Sequence, residues 1–345
     1  MQRQSNIEIL RIIATMMVIM VHTAFLSLGV PQKFDSSGLA ISAIQIFSVP
    51  AVDIFILISG YFHIKPKVKG LGNYLFQVLF YSIFIYVLWL VLGRCRLNVQ
   101  DIKECFFLTE ANWFIKSYLL LFIVSPIINT FVDNCSRRTH CIIILSMLAY
   151  QTVFDFATMA DLSIRSGYST MSFVLLYLIG SYIKKYPNTT CICIGGGGKM
   201  KIAITGLIFY GLLLLPVIAS YFDVLNSKFV CKYLQHGLAY SNPLIIGVAV
   251  CYLRLFLKVC MTSRVVNWIA ISSFSAFLIH ANPNVIRLFI RYVSNMYTSN
   301  SLACYIAFVI VFVVCVFMAS VFIDKIRMFL WNLLWNNIEK RYVRK

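Results

Sequence analysis

The sequence predicts an all-α protein, a multi-pass bundle of about ten transmembrane helices with both termini in the cytoplasm. Mean hydropathy is +0.83, and 60% of the residues are hydrophobic while only 12% are charged. A soluble domain carries about 25% charged residues. Apolar runs recur to Val321 and leave no room for a soluble domain of ordinary size. Residues 1–345 are therefore predicted to form a single integral-membrane domain.

Ten apolar runs are long enough to cross a hydrocarbon core of about 30 Å. Pro31 ends the first run, and Pro50 lies inside the second. The sixth and ninth runs are short and contain polar residues, so we expect either to be tilted, broken or re-entrant. The runs cover residues 7–29, 39–63, 71–93, 113–132, 141–158, 168–183, 202–222, 240–257, 265–283 and 302–323.

The first run is predicted to stay in the mature protein. It lacks a small-x-small cleavage motif and carries charges within the run, unlike a cleavable signal peptide.

The segments between runs predict the orientation. Lys and Arg are about twice as frequent on the side of the membrane that holds the N-terminus, and the side richer in Lys and Arg is the cytoplasmic one. The net charge of +18 then lies mainly at the cytoplasmic rim. Anionic membrane lipid attracts such a rim, so nucleic acid is not a predicted partner.

The cysteines and glycines carry little chemistry in this sequence. The eleven cysteines show no C-x-x-C pair and mostly lie inside apolar runs, as expected for small buried side chains. Residues 195–198 are four glycines followed by Lys199, but no strand precedes them and the Gly-Lys-Ser/Thr ending is missing. This segment is predicted to be a flexible linker. No metal-ligand spacing is present in the sequence, so no metal is predicted.

A charged stripe in the first run is the strongest functional signal. Arg11 and His22 are 11 residues apart, three helical turns plus about 20°, so they share a face. Glu8 and Thr15 lie on the same face. An ionisable residue inside a membrane helix costs roughly 2.5–3.5 kcal/mol on the gentler insertion scales. The stripe is therefore predicted to line a polar interior.

Asp53 lies in the second run at a depth between those of Arg11 and His22. We expect it to orient the His22 imidazole, to pair with Arg11, or to cap a helix broken at Pro50. Gly60 is seven residues further on the same face and is predicted to permit close approach of a neighbouring backbone.

Other polar residues divide into predicted binding and solvated groups. His280 and Asn282, at the outer end of the ninth run, and Ser59 in the second run are predicted to bind substrate. Lys116 follows Trp113 and is expected to extend to the membrane surface. The residues predicted to be solvated are His63, His140, Asp155 and His236.

In these segments the chain resembles the family 3 membrane acyltransferases, bacterial multi-pass enzymes that O-acylate sugars of surface polysaccharides. The first run matches the family's Arg-x10-His signature, with Glu8 three residues before the arginine. The family commonly has paired arginines after a Ser-Gly-Phe sequence, whereas here Tyr61 replaces the Phe and lysines follow at a different spacing. Further matching segments are residues 52–55, 58–62, 177–180 with Tyr182, 241–243 and 277–280.

The resemblance implies transfer of an acetyl or related short acyl group from cytosolic acetyl-CoA, the co-substrate. The acceptor would be a hydroxyl of a surface or capsular polysaccharide or its precursor, with the enzyme in the bacterial inner (plasma) membrane. His22 is the predicted general base, since an imidazole titrates near operating pH, and Asp53 is its predicted orienting partner. The residues predicted to contact the acyl-CoA are Arg11, Glu8, Lys65 and Lys67.

Several alternatives stay open at this point. Direct transfer and an acyl-histidine intermediate use the same histidine, and the acyl group is either acetyl or succinyl. A transporter or flippase for a glycan or lipid-linked intermediate would also need a polar path through the membrane, although no paired half-sequences are evident. A third hypothesis is a non-enzymatic scaffold for polysaccharide-assembly proteins. The sequence does not predict the oligomeric state.

Overall fold

The computed structural model describes residues 4–109, 112–158, 165–187 and 198–338, and these are helical without any strand. The helices are, in chain order, α1 (Ser5–Thr23), α2 (Phe25–Leu28), α3 (Ser36–Ser48), α4 (Ala51–Phe62), α5 (Val68–Val91), α6 (Val99–Cys105), α7 (Trp113–Asn134), α8 (Arg137–Thr158), α9 (Thr170–Lys185), α10 (Lys199–Tyr221), α11 (Ser227–His236), α12 (Pro243–Leu257), α13 (Arg264–Ala270), α14 (Ser273–His280), α15 (Pro283–Ser299) and α16 (Leu302–Ile338). The glycine segment 195–197 lies outside the described residues.

Six helical segments in the described chain are long and apolar enough to cross a membrane. A bent pair, Arg264–His280 and Pro283–Ser299, makes a seventh if it counts as one span. The protein is thus a multi-pass membrane protein, but the predicted count of ten is not confirmed. The orientation of the termini stays a prediction. The six segments are Ser5–Leu28, Ser36–Phe62, Val68–Val91, Trp113–Asn134, Lys199–Tyr221 and Leu302–Leu333.

The shortfall comes from four of the predicted runs. Helices α9 and α12 have 16 and 15 residues, or about 24 and 23 Å, less than the hydrocarbon thickness. Both are largely buried, with α9 packed on α4 and α7 and α12 on α10 and α4. Helix α8 is long enough but insufficiently apolar, and the ninth run ends at an 82° bend before α15. Helices shorter than the membrane thickness are tolerated in the interior, because longer and less buried helices such as α7 and α10 pack between them and the lipid.

Two of the spans are broken, and the breaks are chemically satisfied. The first span breaks at Ala24, where Ser27 Oγ donates to the His22 carbonyl (2.6 Å) and the Tyr305 phenol donates to the Thr23 carbonyl (2.6 Å). The second breaks just before α4, with Pro50 at the N-cap. Freed carbonyls cannot be left unpaired in a membrane, so these contacts fix where α1 ends.

Helices α4 and α9 approach each other closely at two glycines. A Cβ atom on Gly60 would lie 2.1 Å from the Tyr177 carbonyl oxygen, and one on Gly180 would lie 2.2 Å from the Leu57 carbonyl oxygen. Ser181 Oγ donates to the Gly60 carbonyl across the same contact (3.1 Å). The close approach predicted at Gly60 is therefore confirmed. The contact lets α9 pack directly behind α4, the helix that carries Asp53.

We expect Gly180→Ala to destabilise the protein by about 1–3 kcal/mol, because the added methyl group forces two backbones apart. The measurement is the thermal unfolding midpoint of the purified protein in detergent. Gly211→Ala is the matched control, since a Cβ atom there meets nothing within 4 Å, and it should keep or slightly raise the midpoint, because alanine is the better helix former. Equal midpoints for Gly180→Ala and the control would contradict this account of the α4–α9 contact.

Candidate active site

Two histidines from opposite ends of the sequence meet inside the bundle. His22 Nδ1 and His280 Nε2 are 3.1 Å apart. Each histidine lies in the last turn of its helix, His22 in α1 and His280 in α14. The C-terminal end of a helix carries partial negative charge, so both helices favour positive charge on this pair.

The hydrogen bonds assign the tautomers of the pair. His280 Nδ1–H donates to the Ala276 carbonyl one turn back, so the Nε2 atom of a neutral His280 is an acceptor. His22 must then carry its proton on Nδ1 and donate it to His280. This leaves the lone pair on His22 Nε2, which has no protein partner among the described residues and is not sealed from solvent. The unprotonated Nε2 atom of His22 is therefore available to accept a proton.

His22 opens onto a cavity of about 450 Å³. Thr15 and Ser273 also line it, and they precede His22 and His280 by seven residues each, which places each on its partner's helix face. The cavity thus extends about 10 Å from the histidine pair toward the N-terminal end of α1. Its other polar residue is Gln45, and its aromatic lining consists of Phe25, Phe55, Trp113, Phe114, Tyr168, Tyr240, Phe274 and Phe277.

Asp53 does not make any of the contacts expected of it. It is fully buried in the first turn of α4, and neither carboxylate oxygen has a hydrogen-bond partner within the described ranges. His280 takes the orienting position beside His22 that the sequence assigned to Asp53. Neighbouring residues Val52 and Phe55 line the cavity, so Asp53 lies one layer behind the wall. A catalytic role for Asp53 stays a prediction.

The residues predicted to contact the acyl-CoA lie toward the N-terminal end of α1, away from His22. Arg11 NH1 is 3.4 Å from Glu8 Oε1, with the Arg11 side chain 32% exposed and that of Glu8 8% exposed. The Arg11 guanidinium also lies over the Phe62 ring, 5.9 Å from its centre. Lys65 and Lys67 follow Phe62 and are exposed. These cations therefore share one end of the bundle.

Two predicted substrate-binding residues lie outside the cavity wall. Ser59 Oγ donates to the Phe55 carbonyl and is 3.4 Å from the Tyr118 hydroxyl. Asn282 caps α15, where its side-chain oxygen accepts from the Asn284 backbone N–H (3.0 Å). Asn282 thereby holds the bend that follows His280. Neither geometry requires a substrate.

The prediction of solvated side chains was wrong for two residues. His140 is completely buried, and its Nε2–H donates to the Leu178 carbonyl (3.1 Å). Asp155 is half-buried and accepts hydrogen bonds from Ser241 and Ser166. Each lies near the end of an apolar run, where sequence position alone does not distinguish solvent from a tertiary partner. His236 is exposed as predicted, and His63 is half-buried.

No functional role was predicted from the sequence for the aromatic lining or for Ser273. Trp113 and Tyr240 stand at the ends of apolar runs, where they are typical of a membrane-interface belt. In the structure they pack together with Tyr168, with ring centres 4.5 Å apart for Trp113–Tyr168 and 5.0 Å for Tyr168–Tyr240. Only the fold brings these three segments together, so no local signal identifies them.

Comparison with known proteins adds one finding. The family model described as an acyltransferase domain, that of the family 3 acyltransferases, matches residues 4–321. The match therefore covers both histidines and all the residues that line the cavity. No curated protein and no solved structure matches the chain.

The tautomer assignment predicts selective chemical modification. Diethyl pyrocarbonate acylates accessible unprotonated imidazole nitrogen, so we expect it to label His22 and the exposed control His236, whereas buried His280 and His140 stay unmodified. Peptide mass spectrometry of the intact, detergent-solubilised protein after brief treatment gives the pattern. Labelling of His280 as fast as His22 would contradict the assignment of the free lone pair.

Proposed function

Because the chain belongs to the family 3 acyltransferases, we propose that it transfers acetyl, or a related short acyl group, from cytosolic acetyl-CoA to a glycan hydroxyl. The proposed acceptor is a surface or capsular polysaccharide or its precursor, and the proposed location is the bacterial plasma membrane. The observation that carries this proposal is the His22–His280 pair, which presents an unprotonated nitrogen to the cavity.

The chemistry that the pair supports is general-base catalysis. A thioester is already activated, so the barrier lies largely in making the acceptor oxygen nucleophilic. His22 Nε2 takes the proton of the acceptor hydroxyl as its oxygen bonds to the thioester carbonyl carbon. The carbon–sulfur bond then breaks, and the departing thiolate of CoA receives the proton from His22. His280 holds His22 in the productive tautomer, and the helix ends favour the transient imidazolium.

The two ends of the cavity suit the two substrates. Acyl-CoA would approach from the end of α1 that carries Arg11, with its extended arm passing Thr15 and Ser273 on the way to His22. Backbone and hydroxyl groups along this path can serve its amides. The acceptor would approach from the opposite side, where Trp113, Tyr168 and Tyr240 offer flat surfaces for the apolar faces of sugar rings. In this proposal His280 is a positioning residue rather than a substrate ligand.

Membranes that carry the wild-type protein are expected to move radiolabel from [14C]acetyl-CoA into glycan. At matched expression His22→Ala should lower the rate by about 10²-fold or more, the usual worth of a positioned general base. His280→Ala should lower kcat by a smaller factor and leave KM for acetyl-CoA unchanged, because it acts through His22. His236→Ala, an exposed histidine away from the cavity, is the matched control and should retain full activity.

Each contrary result has a distinct meaning. An active His22→Ala variant would show that His22 is not the general base, while the protein would still be an acyltransferase. Absence of labelled glycan with the wild type, in membranes that contain the host's own glycan intermediates, would reject acetyl-CoA as the donor. Vectorial movement of glycan without acetyl-CoA consumption would instead support the transporter alternative.

A further inference from the structure

One buried cation has no role in the proposed transfer step. Arg254 lies in the last turn of α12 and is 7% exposed. Its Nε atom is buried without a hydrogen-bond partner. The guanidinium forms no hydrogen bond, ion pair or aromatic stacking contact with the part of the chain that the structure describes. A buried arginine normally pairs with an acid, since an unpaired buried charge is strongly unfavourable.

Arg254 lies at the same end of the bundle as Arg11. Asn6 Nδ2 in the first turn of α1 donates to the Phe256 carbonyl, two residues beyond Arg254 (2.8 Å). Along α12, Arg254 is about 17 Å from Pro243. Pro243 follows Tyr240, which belongs to the aromatic lining of the cavity. Arg11 is likewise about 16 Å from His22 along α1. Arg11 lies between one and two turns beyond Asn6 in α1, so the two arginines lie toward the same end of the bundle, where the acyl donor would enter.

The surroundings of Arg254 are cationic rather than acidic. The Tyr182 side chain lies near Arg254, and Arg137 Nε donates to the Tyr182 hydroxyl (3.4 Å). Lys258 and Arg264 follow on the exposed surface. Within the described ranges no carboxylate forms an ion pair with Arg254 or Arg137. A site with this charge selects an anion, and the planar guanidinium fork matches phosphate oxygens in pairs.

We propose that Arg254 is the buried anchor of a phosphate-binding site, and that its ligand is a phosphate group of the CoA of the acyl donor. This proposal rests on the proposed function and assigns a donor contact that Arg11, Lys65 and Lys67 do not supply. The phosphate compensates the buried guanidinium and fixes the nucleotide end of the donor. The extended arm then reaches along the cavity toward His22. A lipid headgroup offers the same phosphate chemistry, so the experiment separates the two sources.

The test measures CoA binding by calorimetry with the purified full chain in nanodiscs of zwitterionic lipid. We expect Arg254→Gln to weaken CoA binding about tenfold or more, the worth of a charge-assisted hydrogen bond. Arg254→Lys should retain part of the affinity, because it keeps the charge but loses the fork. Arg138→Gln, which removes an exposed arginine beside Arg137, is the matched control and should bind CoA as the wild type does.

A second measurement keeps the proposal testable if Arg254→Gln does not fold. The thermal unfolding midpoint of the wild type should rise with CoA, and the rise should be smaller for Arg254→Lys. The same midpoints in phosphatidylglycerol nanodiscs test the lipid source. Wild-type CoA affinity retained in folded Arg254→Gln or Arg254→Lys would overturn the proposal, and so would loss of only the phosphatidylglycerol effect. Absence of CoA binding by the wild type would instead reject the acyl-CoA donor of the proposed function.

Discussion

The hydrogen bond between His22 and His280 is the interaction on which the site depends. It joins residues 258 positions apart and requires two helices to end at the same depth in the bundle. The break after α1 and the bend after α14 provide this, and Ser27, Tyr305 and Asn282 satisfy the backbone groups that these interruptions release. Without the bond, the His22 proton would have no fixed nitrogen and the cavity would face an imidazole of either tautomer.

Packing around the pair follows from a division between inner and outer helices. The short helices α9 and α12 are buried in the centre, and glycines at the α4–α9 contact bring their backbones close together. Four of the longer spans are mostly exposed and supply apolar surface for the membrane, namely Val68–Val91, Trp113–Asn134, Lys199–Tyr221 and Leu302–Leu333. This arrangement permits polar side chains in the interior, because the surrounding helices keep lipid away from them. A charged residue there costs less when it has a partner of opposite charge, as Arg11 has in Glu8.

The sequence predicted the parts of the site that depend on local periodicity. Helical spacing placed Glu8, Arg11 and His22 on one face, and the first two do pair. It also predicted Gly60 as a point of close approach. Periodicity could not assign His280 as the partner of His22, because that contact depends on how α1 and α14 pack. The same limit explains why Asp53 was expected beside the imidazole: depth along two helices can be calculated, but the rotation of one helix against another cannot. Burial of His140 depended on tertiary packing, which hydropathy does not report, and the count of spans depended on where the individual helices begin, end and bend.

In the proposed reaction His22 deprotonates the acceptor hydroxyl, which then attacks an acyl group delivered along the cavity. The most direct measurement is a structure of the protein with a stable acyl-CoA analogue in which a ketone replaces the thioester. We predict that the ketone carbon lies beside His22 Nε2, that the arm of the analogue passes Thr15 and Ser273, and that its phosphates lie at the end that carries Arg11. An analogue bound with its carbonyl away from His22, or bound outside the cavity, would contradict it.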